Sequence, residues 1–520
     1  MKYINFLIPF LMLGLLSCKE VASKKQQPNI ILIYADDLGR GMLSAYGQEY
    51  LTTPNIDRIA NEGIRFEQAY GCQFCAPARA SLLTGMHDCH GNTFSFTRAG
   101  IYEKLDLEYS VKEIEDKIHA VSKPAEEEDV FLAHVAKNAG YNTAQFGKLE
   151  WGFATTSQRV ISHGWDYHYG YYDHQRCHGF YPPFLFENGQ KVHIQGNTRT
   201  DCGKTNATET PDAYKKRWDM TGKTIYSEDI IMNKLLNYMD INNPKETGKP
   251  FFIYFPTQLP HGPISVPAVH PELEQHDDLT EFEKEYGTMI KILDKDVGRI
   301  YAKCEEMGIL ENTIIIFTGD NGHEVYACEE GRAIHGRQKL DGSNFDNLYE
   351  KYYSEVNGDI FDGNDGMAGL KRSNWEGGVR VPLFWLWKGK IQPNNQSMMM
   401  VSNYDILNTI AELVGEEQVE GKDGVSYAPE LFGKDVKARP YAIYSSHMGP
   451  AIVSQDGWKL RYMIKADVFQ LYHLPNDYRE ENVVNNKYPE KVEELKTILL
   501  NECEGDFNNG YHLKFHNPEK

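Results

Sequence analysis

The segment NIILIYADDLG, residues Asn29 to Gly39, gives the first indication of how this chain folds. Ile30 to Ala35 is an unbroken apolar and aromatic run, which is typical of a strand buried on both faces. Asp36 and Asp37 come directly after that run. Taken alone, such a pair could equally cap a helix or form a turn, so the interpretation depends on whether the pattern recurs.

Three further segments repeat the design of an apolar run followed by polar side chains. NTIIIFTGDNG ends in Asp320 and Asn321, KPFFIYFPTQLPHGP has His261 beyond its end, and the weaker YNTAQFGK ends in Lys148. Helix-like stretches such as TPNIDRIANEG lie between them. The alternation predicts an α/β fold with a large, mostly parallel sheet flanked by helices. Because ligand sites of such sheets form at the carboxyl ends of the strands, we predict one site built from these distant residues.

The chain has 520 residues, more than one hydrophobic core usually supports. From about Tyr441 the pattern changes to short alternating segments, which predict antiparallel strands. KYPEKVEELKTILLNEC then has the apolar spacing of an amphipathic helix. We therefore predict a catalytic domain over residues 28–436 and a smaller C-terminal α+β subdomain with an antiparallel sheet over residues 437–520.

The N-terminal segment MKYINFLIPFLMLGLLSCKE has the features of a targeting sequence. Its apolar run from Ile4 to Leu16 is too short to cross a bilayer comfortably. The end of that segment, LLSC, resembles a bacterial lipobox, which implies lipid attachment at Cys18; a plain signal peptide that contains a cysteine is the alternative. We predict a signal peptide over residues 1–17, a polar tether over 18–27, and an exported protein anchored by lipid in the periplasm or at the outer-membrane surface.

The formal net charge of −20 argues against a nucleic-acid partner, because such a partner would need a basic face. A polyanionic substrate stays possible, but it would require a locally basic pocket.

The segment GCQFCAPARASLLTG contains two cysteines, Cys72 and Cys75, at the spacing of a redox or metal-binding pair. A redox pair would place a low-pKa thiol at the start of a helix. A zinc site would need further cysteine or histidine ligands at suitable spacing, and the sequence has no second C-x-x-C.

The pattern Cys75-Ala-Pro77-Ala-Arg79, followed by ASLLTG, resembles the signature C-x-P-x-R-x(4)-T-G of the type I sulfatases. The motifs NIILIYADDLG, GYNTAQFGK, PHGP, TGDNG, GLKRSNWEGGVRVP and FQLYHLPNDYREENVV also match that family, in the same order and over almost all of the mature chain. The resemblance implies the alkaline phosphatase-like fold. It also implies that a maturation enzyme oxidises Cys75 to Cα-formylglycine.

The chemistry that the resemblance implies is covalent catalysis. One hydroxyl of the hydrated aldehyde attacks the sulfur of a sulfate ester, and the other then expels sulfate. A divalent metal would assist this reaction. Asp36, Asp37, Asp320 and Asn321 offer only oxygen ligands, which suit calcium or magnesium rather than zinc. The resemblance favours calcium, with the modified residue 75 as a further ligand.

The resemblance also assigns roles to four cationic or titratable residues. Arg79 would hold the nucleophile and the metal site. Lys148 and Lys371 match the two lysines that contact the sulfate oxygens. His261 matches the histidine that binds the ester and protonates the leaving alcohol, a general-acid role.

One position departs from the family motif, because the chain reads GKLEWG where members commonly read GKWHLG. Glu150 thus replaces the histidine that would contact the formylglycine hydroxyl. Either Glu150 substitutes for it, or another residue such as His323 or His335 takes its place, or turnover is slow.

Two long irregular stretches are predicted to bind substrate at the rim of the sheet. The first, between the Asp320-Asn321 motif and Lys371, carries His335 and Arg337. The second, from His163 to Cys202, is rich in tyrosine and histidine. Long loops often bind ligands, with aromatic rings against sugars and basic groups against further anionic groups.

The sequence thus predicts a calcium-dependent formylglycine sulfatase that acts on a sulfated carbohydrate. The sugar and the sulfated position stay open. One alternative is a phosphonate or phosphodiester hydrolase of the same superfamily. Another is a catalytically impaired glycan-binding lipoprotein, which Glu150 alone supports.

Overall fold

The computed structural model describes residues 27–91, 94–122, 129–198, 218–325, 333–334, 338–339, 351–511 and 513–520. The predicted signal peptide, Cys18, nearly all of the predicted tether, His335 and Arg337 lie outside these ranges.

Strands and helices alternate along most of the described chain. The strands are β1 (Asn29–Ala35), β2 (Ile64–Tyr70), β3 (Ser95–Thr97), β4 (Asn142–Gly147), β5 (Tyr167–Gly170), β6 (Phe184–Glu187), β7 (Gln190–His193), β8 (Phe251–Pro256), β9 (Thr313–Gly319), β10 (Ala333–Ile334), β11 (Gln338–Lys339), β12 (Leu383–Trp387), β13 (Asn395–Ser402), β14 (Tyr441–Tyr444), β15 (Ala451–Ser454), β16 (Trp458–Met463), β17 (Val468–His473) and β18 (Lys514–His516). The α-helices are α1 (Pro54–Asn61), α2 (Cys75–Thr84), α3 (Val111–Val121), α4 (Leu132–Asn138), α5 (Ser157–Ser162), α6 (Ser227–Ile241), α7 (Pro244–Thr247), α8 (Pro271–Glu274), α9 (Glu281–Glu306), α10 (Ser354–Asn357), α11 (Glu376–Val379), α12 (Asp405–Val414), α13 (Ala428–Leu431) and α14 (Pro489–Glu502).

The large sheet has the strand order β13-β2-β12-β9-β1-β8-β4-β5-β6-β7. Its centre is parallel, since β1 pairs in parallel with both β8 and β9, and β4 pairs in parallel with β8 and β5. β12 runs antiparallel to β9 and β2, and β6 and β7 form an antiparallel edge. The prediction of a mixed, mostly parallel sheet is confirmed.

The central strand β1 is buried on both faces, as its apolar run predicts. Ile31 and Ile33 face one apolar cluster, which includes side chains of α1, α6 and α9. Leu32 and Tyr34 face another, which includes side chains of α2, α3, α4 and α12. Burial of each such aliphatic side chain contributes about 1.5–3 kcal/mol, so the strand is held firmly between two helical layers.

The pairing register brings the carboxyl ends of the central strands together. Ala35, the last residue of β1, lies beside Gly319 at the end of β9, and Tyr34 lies beside Pro256 at the end of β8. The polar residues that follow these strands therefore converge at one edge of the sheet.

A second, four-stranded sheet follows in the C-terminal part, with the order β14-β15-β16-β17 and antiparallel pairing throughout. Helix α14 packs on it through Leu495 and Leu499. This confirms the predicted antiparallel sheet. The sequence did not predict that the chain then returns to the catalytic domain, where β18 pairs in parallel with β3.

No helix among the described residues is both long and apolar enough to cross a membrane.

Candidate active site

Cys75 is the first residue of α2 and is buried at the carboxyl edge of the large sheet. The loop before it is fixed to β9, because the Cys72 backbone N–H donates to the Asp320 carbonyl over 3.0 Å. As a result, the Cys75 Sγ and one carboxylate oxygen each of Asp36 and Asp320 lie within 4.8 Å of one another. The buried helix start thus joins the polar ends of β1 and β9.

The structure does not favour a redox role for Cys72. Its thiol points toward the Asn403 side chain, with Sγ 3.9 Å from Oδ1, and the thiols of Cys72 and Cys75 are both free. Burial raises the pKa of the Cys72 thiol well above its ordinary value, whereas a reactive thiol needs a lowered pKa.

Hydrogen bonds join the acidic residues at the ends of β1 and β9. The backbone N–H groups of Asp37 and Asn321 donate to Asp320 Oδ1 over 2.9 and 2.8 Å. Asn321 Nδ2 in turn donates to Asp37 Oδ1 over 2.9 Å. Asp37 has a φ of 63°, a left-handed conformation that aspartate tolerates better than most residues. The predicted metal ligands are therefore collected in one buried group.

This group has the properties of a site for a hard divalent cation. Among the described residues, Asp36 Oδ1 and Asn321 Oδ1 are buried and accept no hydrogen bond. Burial, together with the negative charges of Asp36 and Asp37, raises the pKa of Asp320 well above its ordinary value. An unpartnered buried oxygen is costly, and a cation bound by oxygen ligands would remove that cost. The residues fit calcium or magnesium.

Two buried lysines supply positive charge to the same acidic group. Lys148 Nζ donates to Asp36 Oδ2, and Lys371 Nζ donates to Asp37 Oδ2 over 2.7 Å. Burial alone would lower the pKa of each ammonium group, but the adjacent aspartates raise both above the ordinary lysine value. Both ammonium groups are therefore held in the charged form, and each is paired with one aspartate of the acidic group.

Three imidazole rings form a row next to these lysines. His261 Nε2 lies 3.3 Å from Lys371 Nζ, and its ring stacks on that of His178 with 3.7 Å between centroids. His178 meets the ring of His174 edge-on at 4.2 Å. The row ends at Cys75, whose Sγ is 3.8 Å from His174 Nε2.

His174 and His178 were not named by the sequence analysis, although they lie in the tyrosine- and histidine-rich stretch that was expected at the rim. They surround Cys177, and the three side chains form one compact group. The short spacing of two histidines and one cysteine in the segment DHQRCHG is the sequence feature that could have indicated this group.

Arg79 lies one turn into α2 and is fully buried. Its Nη2 donates to the Gly152 carbonyl over 2.8 Å. Burial lowers the pKa of the guanidinium, but the neighbouring Cys75 sulfur and other acidic groups more than offset this, so Arg79 is charged beside the nucleophile position.

Of the three possibilities left open at this motif position, the geometry does not favour substitution by Glu150. Glu150 Oε2 lies 2.8 Å from His163 Nδ1, and Oε1 accepts from Thr155 Oγ1 over 2.9 Å. Burial raises the pKa of this carboxyl, but His163 more than compensates and lowers it overall. Both oxygens are thus occupied by structural partners. Of the replacements considered, His323 is buried with Nε2 3.3 Å from Asp359 Oδ2. The imidazole of His174 lies next to Cys75, with Nε2 3.8 Å from Sγ.

Family models match most of the chain. A model described as "Sulfatase" matches residues 28–416, and one described as "N-sulphoglucosamine sulphohydrolase, C-terminal" matches residues 367–504.

Curated relatives match over similar lengths. The chain is 27% identical to an N-acetylgalactosamine-6-O-sulfatase of Bacteroides thetaiotaomicron, over 96% of this chain and 99% of that protein. It is 28% identical to arylsulfatase G of Mus musculus, over 79% of this chain and 70% of that protein.

Solved structures share the fold. One, from work on the metabolism of multiple glycosaminoglycans by Bacteroides thetaiotaomicron, has a TM-score of 0.67 and 26% identity, covering 92% of this chain and all of that one. A phosphonate monoester hydrolase of Agrobacterium radiobacter has a TM-score of 0.55 and 18% identity, covering 92% of this chain and 96% of that one, so its likeness concerns the fold alone.

Proposed function

This chain belongs to the sulfatase family, and we propose that it hydrolyses sulfate esters of a carbohydrate through a nucleophile made from Cys75. The observation that carries the proposal is the convergence of Cys75, Asp36 and Asp320 within 4.8 Å, beside two charged, buried lysines. A cavity with buried cations is suited to an anionic ester, and a buried helix start favours an anion further.

The proposal includes a modified residue and a metal. Oxidation of Cys75 to formylglycine by a separate maturation enzyme would supply the attacking hydroxyl, and a divalent cation, with calcium favoured, would polarise it and the sulfate. Asp36, Asp37, Asp320 and Asn321 would hold the cation. Their support is the set of buried oxygens without hydrogen-bond donors and the raised pKa of Asp320.

The chain's own residues would bind, orient and protonate the substrate. Lys148 and Lys371 would pair with sulfate oxygens, and Arg79 would hold the nucleophile side chain from within α2. His261, with Nε2 3.3 Å from Lys371 Nζ, would donate the proton that the leaving alcohol requires. His174 would contact the oxygen carried by residue 75, the role first considered for Glu150.

The substrate class follows from the relatives rather than from the site alone. A relative named for N-acetylgalactosamine 6-O-sulfate matches almost all of the chain, so we infer that an N-acetylgalactosamine 6-sulfate unit is the first substrate to test. The lipobox-like segment before Cys18 supports export and lipid anchoring, and that location would give the enzyme access to glycans outside the cell.

The test is release of free sulfate from a panel of sulfated mono- and oligosaccharides that includes N-acetylgalactosamine 6-sulfate. The protein would be produced together with a formylglycine-generating enzyme, and modification would be verified by peptide mass. Cys75→Ala serves as the matched control, because loss of one buried sulfur should leave the melting temperature within a few degrees.

We expect sulfate from at least one sugar and none from Cys75→Ala. More than a few per cent of native turnover in Cys75→Ala would contradict the nucleophile assignment. Phosphate or phosphonate ester hydrolysis without any sulfate release, by fully modified protein, would favour the phosphoester alternative.

A further inference from the structure

Three phenylalanine rings from distant parts of the sequence pack in succession, and the first two lie beside Cys75. Phe74 precedes the nucleophile position, Phe153 follows the β4 region, and Phe515 lies on β18. The ring centroids of Phe74 and Phe153 are 6.0 Å apart, and those of Phe153 and Phe515 are 5.5 Å apart. We call these three rings the aromatic wall.

The aromatic wall is in contact with residues of the proposed active site. The Phe153 ring meets His174 edge-on at 4.7 Å, and the Phe153 carbonyl accepts a hydrogen bond from the His174 backbone over 2.8 Å. His174 in turn contacts Cys75. Phe74 also packs directly with Cys75 and Ala76. A ligand that reaches the nucleophile would therefore have this wall at its side.

The wall extends from the buried site to the surface. Phe74 is 7% exposed, whereas Phe515 is 44% exposed. The exposed ring is held in place by its backbone, since β18 pairs with β3 and brings Phe515 opposite Phe96. One exposed apolar side chain is ordinary, but one fixed in line with two rings at a catalytic cavity forms a built surface.

A basic residue follows the strand that pairs with β18. Arg98 comes directly after β3 and is exposed, and its backbone N–H donates to the His516 carbonyl over 2.9 Å. Positive charge at this edge, in a chain of net charge −20, favours an anionic ligand.

We propose that the aromatic wall is the subsite for the pyranose ring that carries the sulfate ester. The C–H face of the ring would lie against Phe153 and Phe515, because the partial positive charge of C–H groups suits the electron-rich face of an aromatic ring. Arg98 would face a further sulfate or carboxylate group of the same glycan. This inference rests on the proposed function, and it identifies the substrate class as an anionic glycan bound through one apolar ring face.

The first experiment measures KM and kcat for sulfate release from N-acetylgalactosamine 6-sulfate. Truncation in Phe515→Ala should raise KM about three- to tenfold while kcat stays within about twofold. Phe515→Trp should keep KM near the native value, since it preserves the aromatic face. Tyr488→Ala removes another surface aromatic, 36% exposed at the start of α14, and should leave both constants unchanged.

A second measurement does not require turnover. In Cys75→Ala, saturation of the protein's aromatic protons should transfer to the ring protons of N-acetylgalactosamine 6-sulfate in an NMR saturation-transfer experiment. The transfer should fall by at least half in the double variant Cys75→Ala, Phe515→Ala.

The outcomes separate the two proposals. Sulfate release with an unchanged KM in Phe515→Ala would overturn the aromatic wall and leave the proposed function intact. Transfer that depends on Phe515, without sulfate release by modified protein, would support the wall and contradict the function. Absence of transfer in Cys75→Ala would overturn the wall whatever the activity shows.

Discussion

At the scale of single residues, Glu150 and His174 show that a motif position and the residue that lies next to Cys75 need not coincide. Glu150 stands where the family motif has a histidine, yet both of its oxygens bind His163 and Thr155. His174 comes from a segment without a recognisable motif and contacts Cys75. Glu150, at the motif position, thus has structural partners. His174, 24 positions later, lies next to residue 75.

We predict that His174→Ala impairs catalysis, whereas Glu150→Gln impairs stability. His174→Ala should lower kcat by at least about 100-fold, the usual minimum contribution of a proton-transfer or hydrogen-bonding catalytic group, with a melting temperature close to native. Glu150→Gln should keep kcat within a few-fold but lower stability by about 1–3 kcal/mol, because buried His163 loses its charged partner.

Steady-state kinetics and thermal unfolding on the same preparations check both expectations. A large loss of kcat in Glu150→Gln, with native kcat in His174→Ala, would return the role to Glu150. The catalytically impaired binding protein would gain support only if both variants and the native protein released no sulfate.

The buried acidic group predicts a dependence on metal. Removal of divalent cations by a chelator should abolish sulfate release, and calcium should restore it better than magnesium. Because a ligand that binds only the folded state stabilises it, calcium at 100 times its Kd should add about 2.7 kcal/mol to the free energy of unfolding. The rise in melting temperature gives a readout independent of turnover.

Asn321→Ala is the matched variant for this test, since it removes a ligand oxygen without removing a charge. It should shift the calcium titration to higher concentration. Full activity of thoroughly metal-stripped native protein would refute the site.

At the scale of elements, the strands that could be predicted from the sequence are those with a continuous apolar run. β1, β8 and β9 are continuous apolar runs, and their polar ends meet because parallel strands pair in register. The three-residue strand β18 has no such signal, and its partner β3 lies more than 400 positions earlier. For the same reason His174 and His178 were missed, since they lie in irregular backbone where no periodicity fixes the direction of a side chain.

The segment that follows α2 meets Asp423 and the end of α14 through two histidines. His90 Nε2 lies 2.8 Å from Asp423 Oδ2, and His90 Nδ1 lies 3.2 Å from Glu504 Oε1. Because both ring nitrogens face carboxylates, the protonated imidazole fits this position. His87 stacks on His90 at 4.1 Å, and its Nε2 lies 3.0 Å from Glu502 Oε2. These groups connect the catalytic domain to the C-terminal subdomain.

We predict that His90 stabilises this connection more at acidic than at alkaline pH. Burial alone would lower the pKa of His90, but Asp423 and Glu504 raise it above its ordinary value. A folded-state pKa above the unfolded value means that the stabilisation is fully present below about pH 6.5 and is lost as pH rises through the folded pKa.

The measurement is the difference in melting temperature between native protein and His90→Gln, at pH 6 and at pH 8.5. The difference should be larger at pH 6. His473→Gln, on β17 and away from these carboxylates, should show no such change. Equal differences for His90→Gln at both pH values would contradict the prediction.

At the scale of the whole molecule, the C-terminal sheet is locked to the segment that carries Lys371. Asn374, three residues after Lys371, donates to the Gly449 and Tyr462 carbonyls over 3.0 and 3.2 Å and accepts from Arg461 Nε over 2.7 Å. The C-terminal family model begins at residue 367 and therefore covers this segment together with the C-terminal sheet. The subdomain therefore helps to position Lys371, the lysine proposed to bind sulfate.

A buried ion cluster holds the two parts together. Lys459 Nζ on β16 lies 3.0 Å from Glu376 Oε1 on α11 and 2.8 Å from Glu480 Oε1, and all three side chains are at most 1% exposed. Arg380 also pairs with Glu376, over 2.8 Å. Removal of one member of such a cluster leaves uncompensated buried charge, which costs about 3–5 kcal/mol.

We predict that Lys459→Met weakens both stability and substrate binding. The free energy of unfolding should fall by about 3–5 kcal/mol, and KM should rise because the Lys371 segment loses its support, although Lys459 lies outside the catalytic cavity. Lys496→Met on α14 is the control, because this lysine is 39% exposed and its ion pair lies at the surface. It should change neither quantity, since surface ion pairs contribute little.

Calorimetry and kinetics on both variants provide the measurement. A lower melting temperature with unchanged KM would mean that the cluster holds the subdomain in place without positioning Lys371, and an unchanged melting temperature would contradict the structural role itself.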